Sequence, residues 1–411
     1  MPAPTAQVTI RFTGGPSFGT TLVLGDAISP LGTGVLGTSA NAPVDFTAQC
    51  TQATIRRGRT RVLDKFEASV ATFVLVDQTG VLDPQNGTYA GSILPNRQVR
   101  ISATYDGTER YLFSGFTDSW TYQYPKGTNG LATVTVTAVD AFRLLNLSDF
   151  TTLSGSSAGD ATGTRVGQIL DAVSWPSTQR SIDTGDTTVQ ADAGTKRSAL
   201  SVLQTLSQTE LGGFWITPEG DAKFMSRSST VKALDGTVTE FDDDGTNINY
   251  QGLSFQIDDT LLANRVSVTR SGGSIQTVSD STSITDYFER DLNRSGLLMD
   301  SDADALSQAR AILQARKDAE LRTDQLVLDA TENNATRVAA ALDLDFFDPI
   351  KVTRTQPGGG RVSKTLTVQG VTHTIRPDGW TTILSTAEPL VESFIVGSST
   401  YGVLGTSDLG Y

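Results

Sequence analysis

The 411-residue sequence predicts a mainly β, multi-domain α+β protein. Three observations predict it. Short β-rich runs punctuated by glycine, proline and aspartate fill residues 1–150. Helical periodicity takes over near residue 151. From Leu253 the β pattern returns, broken by one long helix.

Within residues 1–150, Val8-Thr9-Ile10-Arg11-Phe12 and Thr21-Leu22-Val23-Leu24 are β-rich, with Gly14-Gly15-Pro16 between them. Phe66 to Val76 is a further strand, rich in valine, phenylalanine and threonine. The clearest local signal spans Gln98 to Gly115. Val99, Ile101, Ala103 and Tyr105 share one strand face, Asp106-Gly107 makes a two-residue turn at positive φ, and Tyr111-Leu112-Phe113 returns. Ala132, Val134, Val136 and Ala138 alternate with Thr133, Thr135 and Thr137, which gives a half-buried strand with a hydroxyl face. Many strands, tight turns and no long helix specify a barrel or a sandwich.

Residues 151–250 read as a small α+β domain. Thr151 to Gly163 is a Ser/Thr/Gly-rich stretch, after which Val166, Ile169, Leu170 and Val173 line one helix face. A second helix covers about Ala199 to Leu211, with Gly212-Gly213 as its stop. Phe214-Trp215-Ile216 and Lys223-Phe224-Met225 flank a turn at Thr217-Pro218-Glu219-Gly220. Residues 251–385 form a second β region with an inserted helix at about 301–317, capped by Ser301 with Asp304 at capping-box spacing. Residues 386–411 read as an extended docking arm. Gly34-Val35-Leu36-Gly37-Thr38-Ser39 recurs as Gly402-Val403-Leu404-Gly405-Thr406-Ser407. The two copies are either similar turns or arms that fill equivalent grooves, with Val35, Leu36, Val403 and Leu404 as contact residues.

Composition excludes several functions. With 32 Lys+Arg against 45 Asp+Glu the net charge is −13, which argues against a nucleic-acid binder and against adhesion to an anionic membrane. A single cysteine, Cys50, excludes a disulfide framework and any cysteine-based zinc or iron–sulfur site. No run of apolar residues is long enough to span a bilayer, and Met1-Pro2-Ala3-Pro4-Thr5 opens no secretory signal. The lone histidine, His373, shares a strand face with Val371 and Ile375 and reads as a core residue. No Gly-x-Ser-x-Gly elbow is present.

Metal and phosphate motifs fail in the same way. Asp242-Asp243-Asp244-Gly245 lacks the first aspartate and final glutamate of a calcium loop, and Asp300, Asp302 and Asp304 suit a helix N-terminus better than a metal. Gly358-Gly359-Gly360 reads as a hairpin turn rather than a phosphate loop. No catalytic residue, cofactor or metal is therefore expected. The one basic cluster is Arg56-Arg57-Gly58-Arg59-Thr60-Arg61. Strand alternation would put Arg57, Arg59 and Arg61 on one face, ready to fork onto acidic groups of a partner. Trp120, Tyr122 and Tyr124 alternate along a strand, and a carbohydrate- or receptor-binding module would use them as an exposed cleft.

An ordered set of segments resembles a known family. It runs from Ile55-Arg56-Arg57-Gly58-Arg59 through Leu63 to Ala68, Leu82-Asp83-Pro84, Ile93 to Ile101, Leu112 to Phe116 and Val139 to Leu145. It continues through Ala199 to Leu206, Gly213-Phe214 and Gly220 to Phe224, and ends with Asp348 to Val352 and Val371 to Ile375. Together these are similar to minor tail proteins of long-tailed, siphovirus-like bacteriophages, of the tail-hub (baseplate-hub) type. The resemblance implies two tail-tube-like β-barrel domains, at 1–150 and 251–385. It implies a homotrimer whose six barrels make a pseudo-sixfold ring around the channel for genome DNA and the tape-measure protein. The implied partners are a distal tail protein or tail-tube ring and other tail-tip or receptor-binding proteins. The implied location is the virion tail tip, after synthesis in the host bacterial cytoplasm. The alternatives are a hexameric distal tail protein or a receptor- or carbohydrate-binding tip module.

Overall fold

The computed structural model describes residues 3–12, 21–22, 35–36, 42–124, 126, 132–331 and 334–389. One fourteen-stranded sheet runs through it and resolves into two sets of seven strands. In spatial order the first set is Cys50–Gly58, Glu67–Asp77, Ala132–Val139, Thr108–Gln123, Gln98–Tyr105, Thr5–Arg11 and Val44–Asp45. The second is Gly252–Leu253, Gln325–Asp329, Gly379–Ala387, Arg361–Arg376, Pro349–Thr355, Thr239–Asp242 and Ile248–Asn249. The two sets correspond strand for strand, both in space and along the chain. They differ in the direction of one strand, and so at its two joints. Thr5–Arg11 runs antiparallel to both Gln98–Tyr105 and Val44–Asp45, whereas Thr239–Asp242 runs parallel to both Pro349–Thr355 and Ile248–Asn249.

The correspondence reaches single residues. Each unit holds a 16-residue strand, Thr108–Gln123 or Arg361–Arg376, that serves two neighbours in turn. The handover falls at Phe116, paired with both Gln98 and Val139, and at Thr367, paired with both Pro349 and Ala387. A bulge follows at the same distance in each, at Asp118 and at Gln369. Period-two alternation buries one face of each strand, as with Ala71, Phe73 and Leu75 or Val134, Val136 and Ala138. The Asp106-Gly107 turn forms as expected, with φ of 50° and 73°. Strand pairing closes neither unit into a barrel among the described residues. Instead the units are joined edge to edge, Ala53–Gly58 pairing antiparallel with Gly370–Ile375.

The middle domain carries both expected helices, Thr162–Ala172 and Ala199–Glu210, beside a three-stranded sheet of Arg180–Ile182, Ala222–Met225 and Gly213–Ile216. Val166, Ile169, Leu170, Leu203 and Leu206 are buried. The second helix ends on a left-handed residue, but it is Leu211 at φ 58° rather than either glycine. Gly212 and Gly213 are small for another reason. A Cβ would overlap the Met225 carbonyl at the first and the Phe347 ring at the second.

The second β region holds more than an inserted helix. The strand through Val266 and Val268 belongs to a separate three-stranded sheet of Gln276–Ser279, Arg265–Arg270 and Asp291–Leu297. The helix Asp302–Arg316 packs on it and closes a second core of Val266, Val268, Leu297, Ala305, Ala309 and Ile312. Ser301 caps this helix by accepting from the Asp304 amide at 3.1 Å.

Candidate functional site: the junction of the three units

The basic cluster sits where both β units meet the middle domain, and its arginines part company there. Arg57 is buried and donates to Asp345 at 3.1 Å, with its guanidinium 4.8 Å from the Phe346 ring centre. Arg59 is buried too. It donates to the Gln369 side chain at 2.8 Å and to the Asp64 carbonyl at 3.1 Å, and lies 4.5 Å from the Phe66 ring centre. Burial pulls its pKa down to about 9, against the opposing pull of Asp64. Arg56 and Arg61 are exposed, Arg56 pairing with Glu67 at 3.1 Å.

The expected shared side of Arg57, Arg59 and Arg61 holds for the first two, both buried like Ala53 and Ile55, and fails at Arg61, which is exposed. The strand ends at Gly58, at φ 98° beside a bulge, so alternation no longer governs Arg61. A Cβ at Gly58 would overlap the Gln369 carbonyl, so the close approach of the two units requires glycine. Arg57 and Arg59 thus bind buried groups of their own chain, while Arg56, paired with Glu67, and Arg61 lie on the surface.

Around these arginines Phe66, Trp215, Phe346 and Phe347 form an aromatic cluster with ring centres 5.2–5.8 Å apart. Phe66 comes from the first unit, Trp215 from the middle domain and the Phe346-Phe347 pair from the second unit. Gln204 of the middle helix donates to the Phe66 carbonyl at 3.1 Å, and Lys223 lies over Trp215. Phe347 has φ 69° and donates its amide to Val368 at 2.8 Å, so its strained backbone is held by the sheet. Sequence reasoning missed this cluster. Its one visible signal was the adjacent phenylalanine pair beside Asp345.

The other candidates fall in place without chemistry. His373 is buried among Trp380, Thr382 and its strand neighbours. The Trp380 indole N–H points to Nδ1 at 3.5 Å. Thr382 lies 3.0 Å from the same nitrogen. Burial, helped by Arg57, lowers the His373 pKa to about 3, so the ring is neutral. The half-buried Cys50 thiol points to the Gln52 carbonyl, and burial raises its pKa to about 11.

Asp242 accepts the Gly245 and Asn247 amides, Asp243 pairs with Arg354 at 2.9 Å and Asp244 with Arg361 at 2.7 Å. Asp302 binds Arg270 at 2.6 Å and Asp304 takes part in the Ser301 cap. Among the described residues no group of three or more histidine, cysteine or acidic side chains is placed to hold a metal ion. Trp120 packs on Phe12 at 6.0 Å, while Tyr122 and Tyr124 stack at 6.2 Å near the strand end. The backbone of Val35–Leu36 pairs parallel with Thr21–Leu22. Val403 and Leu404 lie outside the described residues. No helix among the described residues is long and apolar enough to cross a membrane.

Two solved structures share the overall fold of this chain. The tail protein from Neisseria meningitidis MC58 aligns over 94% of this chain and 96% of its own, at 11% identity and a TM-score of 0.55. The prophage MuSo2 43 kDa tail protein from Shewanella oneidensis aligns over 85% of this chain and 96% of its own, at 15% identity and a TM-score of 0.52. The chain has a tail-protein fold. At such identity the likeness is one of fold alone. No protein-family model matches the sequence, and no curated protein matches it.

Proposed function

We propose that this chain is a structural, non-enzymatic component of a bacteriophage tail tip. In this reading three copies form a hub ring that joins the tail tube or distal tail ring to the tip and encloses the DNA and tape-measure channel. The observation that carries it is the strand-for-strand duplication of two β units in one chain. Three such chains present six similar positions, which suits a joint between a sixfold tube and a threefold tip. The tail-protein fold supports it. The net charge of −13 suits a wall past which DNA slides without adhering. Arg56, now paired with Glu67, and Arg61 are the exposed arginines of the cluster and are proposed to meet acidic groups of the neighbouring tail proteins, and Val35, Leu36, Val403 and Leu404 are proposed to dock in grooves of the ring. The mass of the purified assembly tests the reading. Three copies are expected, and six would favour the hexameric distal tail protein.

A further inference from the structure

The joint inside the chain implies a second joint between copies. One rung of the sheet shows the equivalence. In the first unit Trp120 pairs with Val136, Val136 with Phe73 and Phe73 with Ala53. In the second Val371 pairs with Leu384, Leu384 with Leu326 and Leu326 with Leu253. Residues 119–124 of the first unit therefore correspond to Gly370–Ile375 of the second, and residues 253–258 correspond to Ala53–Gly58. Gly370–Ile375 and Ala53–Gly58 are bound to each other. Their counterparts are not. Among the described residues, 119–124 pair only with the last strand of their own unit, and 253–258 only with the Gln325–Asp329 strand and Arg322 just before it. Each chain thus leaves one open edge of each kind, two halves of a joint it has already made once.

We propose that residues 119–124 of one copy pair antiparallel with residues 253–258 of the next, in the register of the internal joint. Trp120 then stands opposite Ile257, Tyr122 opposite Phe255 and Tyr124 opposite Leu253. A separate observation meets this pairing. Tyr124 and Ile257, 67% and 66% exposed, are two of only six large apolar side chains left exposed among the described residues, and each lies on one of the two edges. The Tyr122 hydroxyl between them is buried with no hydrogen-bond partner. Open edges bearing apolar side chains are templates for pairing. The contact is head-to-tail, so it makes a ring where its rotation closes, as the proposed hub requires, rather than a two-fold dimer. The inference rests on the reading that copies of this chain assemble side by side, and it adds the surface and register by which they do so.

Cysteine pairing in the full-length chain tests it. In a Cys50→Ala background, Thr121→Cys and Gln256→Cys are made on separate copies, mixed and mildly oxidised. The register places these two residues opposite each other, and both are exposed. Arg56→Cys with Thr372→Cys, the internal counterpart, is the positive control. The expected result is a covalent dimer from the mixture, and roughly tenfold less from Gln123→Cys mixed with Gln256→Cys, because a disulfide tolerates little displacement. An oligomer that forms while only the internal control cross-links would overturn the strand pairing and leave the ring reading standing. A chain that stays monomeric at every concentration would overturn both. A stronger link from the displaced pair would overturn the register.

Discussion

At the residue scale, burial decides what each arginine of the basic cluster does. Arg59→Met keeps the apolar stem but strips two hydrogen bonds and the charge over Phe66, leaving the Gln369 side-chain oxygen without its donor in the core. The expected cost is about 2–4 kcal/mol, read as a lower urea midpoint. Arg61→Ala, on the surface, should move stability by no more than about 0.5 kcal/mol and weaken binding to tail partners instead. Equal stability losses from the two would refute this division. His373 carries a pH signature. Its folded pKa of about 3 lies below the ordinary 6.5, so the unfolded chain binds the extra proton between those values. Stability should therefore fall as pH drops from about 6.5, by at most about 1.4 kcal/mol per unit. Asp140, raised to about 6 by burial, has the opposite sign, losing its share as pH rises. Urea midpoints of His373→Gln should fall less steeply with acid, and an unchanged slope would contradict the assignment. That His373 is a core residue was legible, because strand alternation is local. That Arg57 and Arg59 face inward was not, because the groups that receive them, Asp345, Phe346 and Gln369, come from about 300 residues away in the chain.

At the element scale, what was legible was what the chain settles within a few residues. The Asp106-Gly107 hairpin, the faces of helices Thr162–Ala172 and Ala199–Glu210 and the Ser301 cap all form as read. The satellite sheet was misassigned to the second β region. Its strands are short, and two of them, Arg265–Arg270 and Asp291–Leu297, run parallel across a crossover that holds the third strand, Gln276–Ser279, and a helix of only seven residues, Ser281–Tyr287. Its separate core makes a prediction. Ser301→Ala should cost about 1 kcal/mol through the lost cap. Amide exchange should rise across residues 265–316 and stay unchanged in the first unit. A uniform rise would show that the satellite does not unfold on its own.

At the scale of the whole molecule, the two β regions were legible in the residue pattern, but their likeness to each other was legible only through resemblance, because the units share topology without a long sequence repeat. The described residues show open sheets in place of the expected barrels, and the proposed side-by-side assembly rests on their open edges. Deleting Thr400 to Tyr411 should leave the melting transition in place and reduce incorporation into tails. Normal incorporation would remove the proposed role of the Gly-Val-Leu-Gly-Thr-Ser segment.

The strand Arg361–Arg376 has a consequence for the order of events during translation. Residues 53–58 leave the ribosome early, yet the strand that covers their outer edge is made about 300 residues later. Until then the nascent first unit shows a bare flank that an adjacent polypeptide on the same polysome could capture. Completing this late strand seals that flank, so a finished molecule offers its neighbours a different margin from the one it shows while being made.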